Sequence, residues 1–261
     1  MGLPQPNEKS IAIVTGASSG IGSELARGLA KRGWTVGLVA RRRERLEELA
    51  ADLGTRAEVL PADLEDPAAR DDLAARIDAL GLDVEVLCNN AGYGTFGDFA
   101  DLDRDRELAM VHANVEAIVD LTGRYLPGMV ERGRGAVLNT ASTSAFQPIP
   151  GNATYAASKA FVLSWSEALH TEVAKQGITV TALCPGPVKT EFQDVADAHD
   201  FAAKLPKPMW VDAEKVAEKG LRGLERGARV VTPGAANRIS GRFSRITPNA
   251  VVLRVLRSQG T

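Results

Sequence analysis

The chain has 261 residues, 44% hydrophobic and 25% charged, with a formal net charge of −2. That balance excludes a global affinity for nucleic acid, and no apolar run reaches the roughly 18 residues of a membrane span. The length suits one large α/β domain with a full core, and the two cysteines, Cys88 and Cys184, each close an apolar run and fit buried, reduced thiols in a cytoplasmic protein.

Residues 1–9 are expected to be a flexible N-terminus, and the first ten residues, which lack a basic start and an apolar core, are not expected to form a signal peptide. The run "SIAIVT" (10–15) predicts the first strand. It leads directly into "TGASSGIG" (15–22), with Gly16, Gly20 and Gly22 spaced G-x-x-x-G-x-G, and then into a helix over "SELARGLAKRG". Glycines at a strand-to-helix turn allow a tight bend and close approach of a pyrophosphate, while the helix N-terminus supplies free N–H groups. The spacing differs from G-x-G-x-x-G, but the position after a strand and before a helix favours a nucleotide site.

The second strand, "WTVGLVA" (34–40), is followed by Arg41, Arg42 and Arg43 with no acid at its end. A carboxylate there would bind a ribose 2′-hydroxyl, whereas arginine accommodates a 2′-phosphate. The expected cofactor is therefore NADP (NADPH), with NAD disfavoured. Arg41 and Arg42 are the assigned ligands, aided by Ser18 or Ser19.

Downstream, strands at 57–60, 84–88, 135–141, 178–184 and 228–232 alternate with helical patterns at 44–54, 67–80, 103–130, 153–176 and 212–226. Strands alternating with helices imply a parallel sheet covered on both faces by right-handed crossovers. The expected fold is a doubly wound Rossmann-type α/β domain over residues 1–261, with about seven strands. One connection, 185–211, is too long for an ordinary turn and is expected to be a substrate loop or lid. From Gly227 to Thr261 there are six arginines (229, 238, 242, 245, 254, 257) and no acid. This makes 233–261 a basic C-terminal tail, suited to an acidic partner, a lipid surface or a phosphorylated carrier, or simply to solvent or a subunit interface.

In combination these motifs resemble the short-chain dehydrogenase/reductase family, in its shorter, single-domain branch. The match covers about residues 10–190. It rests on "TGASSGIG", Asp63-Leu64 after the third strand, "NNAG" at 89–92, Asn114, Ser142, Tyr155-x-x-x-Lys159 and "PGPVKT" at 185–190. The resemblance implies a catalytic tetrad of Asn114, Ser142, Tyr155 and Lys159. It also implies that Asp63, Leu64, Asn90, Ala91 and Gly92 line the adenine and ribose side, and that Thr190, with Pro185, Gly186 and Val188, holds the nicotinamide side. Ile21 joins the glycine loop, and Tyr155 and Lys159 also touch the cofactor. The family resemblance further implies a homodimer or homotetramer.

The chemistry explains these residue types. A hydride reaching a carbonyl carbon leaves charge on the oxygen, so a proton donor must be in place. Tyr155 is that acid, and an ammonium one helical turn away at Lys159 is expected to lower its pKa from near 10. Ser142 orients the carbonyl, and Asn114 supports a water relay to Lys159. Candidate pocket walls are Tyr93, Phe96, Phe146, Pro148, Pro150, Phe192, Met209 and Trp210, which suggest a small-molecule ketone or alcohol on an apolar body. His112, His170 and His199 have no metal-ligand spacing, and no metal is expected. Two other readings stay open: an acyl-chain ketoreductase acting on a carrier-bound substrate, and a non-catalytic NADP-binding regulator. Loss of Tyr155 or Lys159 would have favoured the latter.

Overall fold

The computed structural model describes residues 2–54, 56–196 and 205–258. Its centre is a seven-stranded, all-parallel sheet built from β1 (Ser10–Thr15), β2 (Thr35–Ala40), β3 (Ala57–Pro61), β4 (Asp83–Asn89), β5 (Gly135–Thr140), β6 (Ile178–Leu183) and β7 (Val230–Val231). The strand order is β3-β2-β1-β4-β5-β6-β7. The order reverses between β1 and β4, and a crevice opens beyond the carboxyl ends of the strands at such a switch point.

Both faces of the sheet are buried, so its central strands carry apolar residues on both faces rather than at alternate positions, as in Ile11–Val14 of β1 and Ala136–Leu138 of β5. In β1, Ala12 and Val14 face a cluster with Leu25, Leu29, Val216, Leu221 and Leu224, while Ile11 and Ile13 face another with Leu73, Ile77, Leu121, Met129 and Val173. The first set sits on α1 (Gly20–Ala30) and α8 (Ala213–Glu225), and the second on α3 (Pro67–Ala79), α5 (Ala117–Arg132) and α6 (Ala153–Val173). Each fully buried leucine or isoleucine contributes about 1.5–3 kcal/mol, which makes these two layers the main source of stability.

Local signals set the helix ends. Asp66 caps α3 by accepting from Ala68 N, with Pro67 at the first helical position, and α5 ends on Gly133 in the left-handed region at φ 65°. The remaining helices are α2 (Arg43–Asp52), α4 (Arg104–Val111), α7 (Phe192–Val195), α9 (Ala235–Ile246) and α10 (Asn249–Ser258).

The structure departs from the sequence reading in two helical regions. The predicted continuous helix 103–130 is two helices, α4 and α5, separated by a π-helical turn over His112–Glu116. The segment read only as a basic tail carries two helices, α9 and α10. Residues 197–204 of the predicted lid, with His199, and residues 259–261 of the tail lie outside the described residues. Among the described residues no helix is long and apolar enough to cross a membrane, and no cluster of side chains fits a metal ion.

Candidate active site

A cleft of about 550 Å³ opens at the carboxyl ends of the strands. Its floor begins with the glycine loop. Gly16 and Gly20 have φ of 67° and 59°, where a side chain is strained. Gly22 is needed for a different reason: a Cβ there would lie 2.1 Å from the Gly16 carbonyl oxygen. The loop is braced by Thr15, whose Oγ1 accepts from Asn90 N at 2.9 Å and from Ala91 N at 3.0 Å. Ser19 caps α1 without a side-chain hydrogen bond, so the first N–H groups of that helix face the cleft free of a capping side chain.

At the far end of the cleft, Arg42 Nη2 donates to Ser18 Oγ at 2.9 Å and pairs with Glu191 Oε2 at 2.8 Å. Arg41 Nη1 lies 3.4 Å from Glu65 Oε1 and 3.9 Å from Asp63 Oδ2. No acid follows β2 in sequence, yet folding brings three carboxylates to the arginine pair. Leu64, beside Asp63, is fixed from behind by the buried Arg70. Its Nη1 donates to the Leu64 carbonyl at 2.8 Å and its Nε to Asp120 at 2.7 Å, and it also pairs with Glu116.

The titratable centre lies on the opposite wall. Tyr155 and Lys159 face the cleft from the first turns of α6, and Ser142 follows β5. Backbone bonds from Ala141 N to Leu183 O (2.8 Å) and from Thr143 N to Pro185 O (2.9 Å) tie the end of β5 to the end of β6, which fixes Ser142 between them. Lys159 Nζ donates to the Thr140 carbonyl at 2.9 Å and lies 5.7 Å from the Tyr155 ring centroid. Burial lowers Lys159 to about 8.

Tyr155 behaves contrary to expectation. Burial pushes it up to about 12, and a hydrogen bond with Ser142 pulls the other way. Desolvation is the larger of these two causes, and the Lys159 ammonium donates to the Thr140 carbonyl rather than to the phenol. Part of that burial comes from the lid: the Phe192 ring lies 5.5 Å from that of Tyr155, tilted by 55°.

Asn114 is fully buried and does not line the cleft. It sits in the π-helical turn, which re-aims its amide onto the chain beside the cleft. Asn114 Nδ2 donates to Tyr93 O at 2.9 Å and to Ser158 Oγ at 3.1 Å, and Oδ1 accepts from Tyr93 N at 3.1 Å. Gly92 separates it from Lys159. A Cβ at Gly92 would lie 2.5 Å from Asn114 Oδ1 and 3.3 Å from Lys159 Nζ.

Of the residues singled out in the sequence, the cleft collects Gly16, Ser18, Ser19, Gly20, Ile21, Arg41, Arg42, Asp63, Leu64, Asn90, Ala91, Gly92, Ser142, Tyr155, Lys159, Pro185, Gly186, Val188 and Thr190. Gly22 lies behind the loop. The apolar walls Tyr93, Phe96, Phe146, Phe192, Met209 and Trp210 are present, whereas Pro148 and Pro150 do not line the cleft and Ile149 between them does. Sequence reasoning missed Glu65, Glu191 and the α9 residues Asn237, Ser240, Gly241 and Ser244. Their positions depend on contacts across the chain, and no local motif marks them.

The chain matches the family model described as short chain dehydrogenase over residues 10–200. It is 35% identical over 254 residues to a putative ketoacyl reductase of Streptomyces coelicolor, covering 90% of this chain and 97% of that one. Among solved structures it is similar to a short-chain dehydrogenase from Sphingobium yanoikuyae in complex with NADPH, with 33% identity, a TM-score of 0.80, and coverage of 90% and 92%. It is also similar to a 3-ketoacyl-(acyl-carrier-protein) reductase from Brucella melitensis complexed with NADH, with 28% identity, a TM-score of 0.79, and coverage of 88% and 98%.

Proposed function

The chain belongs to the short-chain dehydrogenase/reductase family of oxidoreductases, and on that premise we propose that it interconverts a ketone or aldehyde and an alcohol by hydride transfer, with NADP(H) as cofactor and an apolar substrate. The observation that carries this reading is the single cleft that joins the glycine loop and Arg42 to Ser142, Tyr155 and Lys159.

The residues fit the dinucleotide. Gly16 and Gly20, at positive φ, make the tight turn that would set a pyrophosphate beside the N–H groups of α1, and Ser18 with Arg42 forms a donor pair for a 2′-phosphate. NADPH, when bound, supplies the hydride. The chain supplies orientation and the proton. Ser142 donates to the carbonyl oxygen of the substrate and fixes it. Tyr155 would give its phenolic proton to the carbonyl oxygen as the C=O bond becomes a C–O single bond. The resulting phenolate is stabilised by the Lys159 ammonium and regains a proton through it, while Asn114 acts from behind Gly92 by holding the Tyr93 backbone beside Lys159. Tyr155 stays protonated at neutral pH, which suits the reductive direction; oxidation runs the same steps in reverse.

The apolar walls Phe96, Phe146, Ile149, Phe192, Met209 and Trp210 support a substrate with an apolar body. A ketoreductase acting on a carrier-bound acyl chain is a second reading, favoured by the 35% identical relative. In either case a homo-oligomer fits the family resemblance, and a cytoplasmic location fits the free, buried Cys88 and Cys184.

The test is fluorescence-detected binding of NADPH and NADH, followed by NADPH oxidation against a panel of ketones. Tyr155→Phe should keep cofactor binding and lose turnover by about 10²–10⁴-fold, the size of a general-acid contribution. Stronger binding of NADH would overturn the cofactor assignment, and full turnover by Tyr155→Phe would overturn the mechanism.

A further inference from the structure

Helix α9 carries its apolar residues on the wrong side for a helix that only covers a core. Its inward positions are small or polar. Asn237 is fully buried and donates to the carbonyls of Met209 (2.8 Å) and Pro233 (3.1 Å). At Gly241 the backbone meets Phe146 so closely that a Cβ would lie 2.5 Å from its Cε2. On the outer side Ile239 is 59% exposed and Phe243, one turn on, is 64% exposed. Val251, on α10, is half exposed.

Charge follows the same side. Arg238 and Arg242 are exposed, one turn apart, and flank Ile239 and Phe243; Arg254 is exposed on α10. The sequence from Gly227 to Thr261 contains no Asp or Glu. An outward apolar stripe bordered by arginines in a segment without acids is the pattern of a helix that lies in a lipid headgroup layer, with the rings in the acyl boundary and the cations on the phosphates.

We propose that α9, supported by α10, docks this protein on an anionic lipid surface. A second copy of the chain answers the pattern less well, because a two-fold contact through this face sets arginine against arginine. An acidic protein answers the charge but gives Ile239 and Phe243 no acyl layer to enter. The same helix lines the cleft through Asn237, Gly241 and Ser244, so docking places the cleft mouth at the lipid boundary. An apolar substrate then passes to the cleft from the membrane; only this last consequence rests on the proposed function.

The experiment is co-sedimentation of the full chain with vesicles of phosphatidylcholine alone and of equal parts phosphatidylcholine and phosphatidylglycerol. Binding is expected only to the anionic vesicles and should weaken with salt. Arg238→Gln with Arg242→Gln should weaken it about tenfold or more, since each cation near such a surface contributes roughly fivefold. Ile239→Ser with Phe243→Ser should weaken it comparably. NADPH binding and the melting temperature confirm that both variants fold. Absence of binding at low salt, equal binding to neutral vesicles, or wild-type binding by both variants would overturn the proposal. So would sedimentation velocity showing that the serine variant dissociates an oligomer while vesicle binding is unchanged, or capture of an acidic carrier protein through this face by a chain that ignores vesicles.

Discussion

Arg42 and Glu191 form an ion pair of 2.8 Å across the mouth of the cleft, and the same guanidinium donates to Ser18. Glu191 thus occupies part of the position from which Arg42 would hold a 2′-phosphate. The Arg42 hydrogen bond, foremost, holds the Glu191 carboxyl below the usual carboxylate range. On the proposed cofactor assignment NADPH would have to displace it, whereas NADH would not. Glu191→Gln should therefore raise NADPH affinity by about threefold, the size of an exposed ion pair, and leave NADH affinity unchanged. Isothermal titration of both cofactors checks this. A fall in NADPH affinity, or an equal change for NADH, would show that Glu191 does not compete.

Lys159 sets the expected pH dependence of turnover. Below about 8 its ammonium is present, and above that it loses its proton. The phenolate left on Tyr155 is then no longer stabilised, so kcat/KM for carbonyl reduction should be level near pH 7 and fall above about pH 8. Lys159→Arg should carry the plateau to higher pH, and Lys159→Met should give a low, flat profile. A limb at the same pH in both variants would assign it to another group.

The same shift has a consequence for stability. Between about pH 8 and 10.5 the unfolded chain holds the Lys159 proton and the folded chain does not, so this group makes stability rise with pH across that window. Tyr155 acts oppositely between about pH 10 and 12, where the folded chain keeps a proton that the unfolded chain has lost. In urea titrations Lys159→Met should gain most over wild type at pH 7 and lose that advantage by pH 10.5. An advantage that does not change with pH would mean Lys159 is not desolvated when charged.

Phe192 closes over Tyr155, and its removal should open that burial. Phe192→Ala should move the Tyr155 titration, followed by phenolate absorbance, down from about 12 toward the ordinary value. It should also raise KM for apolar ketones more than it lowers kcat. An unmoved titration would place the cause of burial in the fixed walls of the cleft.

Arg70 is buried and joins Leu64, Glu116 and Asp120. Arg70→Leu should cost about 2–3 kcal/mol, below the roughly 3–5 of a fully buried pair because Glu116 and Asp120 are partly exposed and Arg124 still holds Asp120. Denaturant unfolding reads the stability, and cofactor titration should show weaker NADPH binding as the Asp63-Leu64 turn loosens. Unchanged affinity despite the lost stability would confine Arg70 to a structural role.

The sequence by itself determined the parts that local physics encodes. Apolar strands alternating with amphipathic helices specify a parallel sheet, because only a sheet buried on both faces tolerates strands such as "SIAIVT". Strand-to-loop junctions placed the glycine loop and Ser142 at one edge, because all strands point the same way, and Tyr155-x-x-x-Lys159 opens the helix that follows Ser142. Tertiary structure decided what depends on distance across the chain. Glu191 reaches Arg42, and Glu65 reaches Arg41, through the folding of segments far apart in sequence. The π-helical turn that re-aims Asn114 has no residue signature of its own within 103–130, because a single five-residue turn is set by the packing of the helices on either side of it. Tyr155 is raised rather than lowered because the closeness of a lysine is a local fact, whereas desolvation depends on every wall of the cleft, Phe192 included.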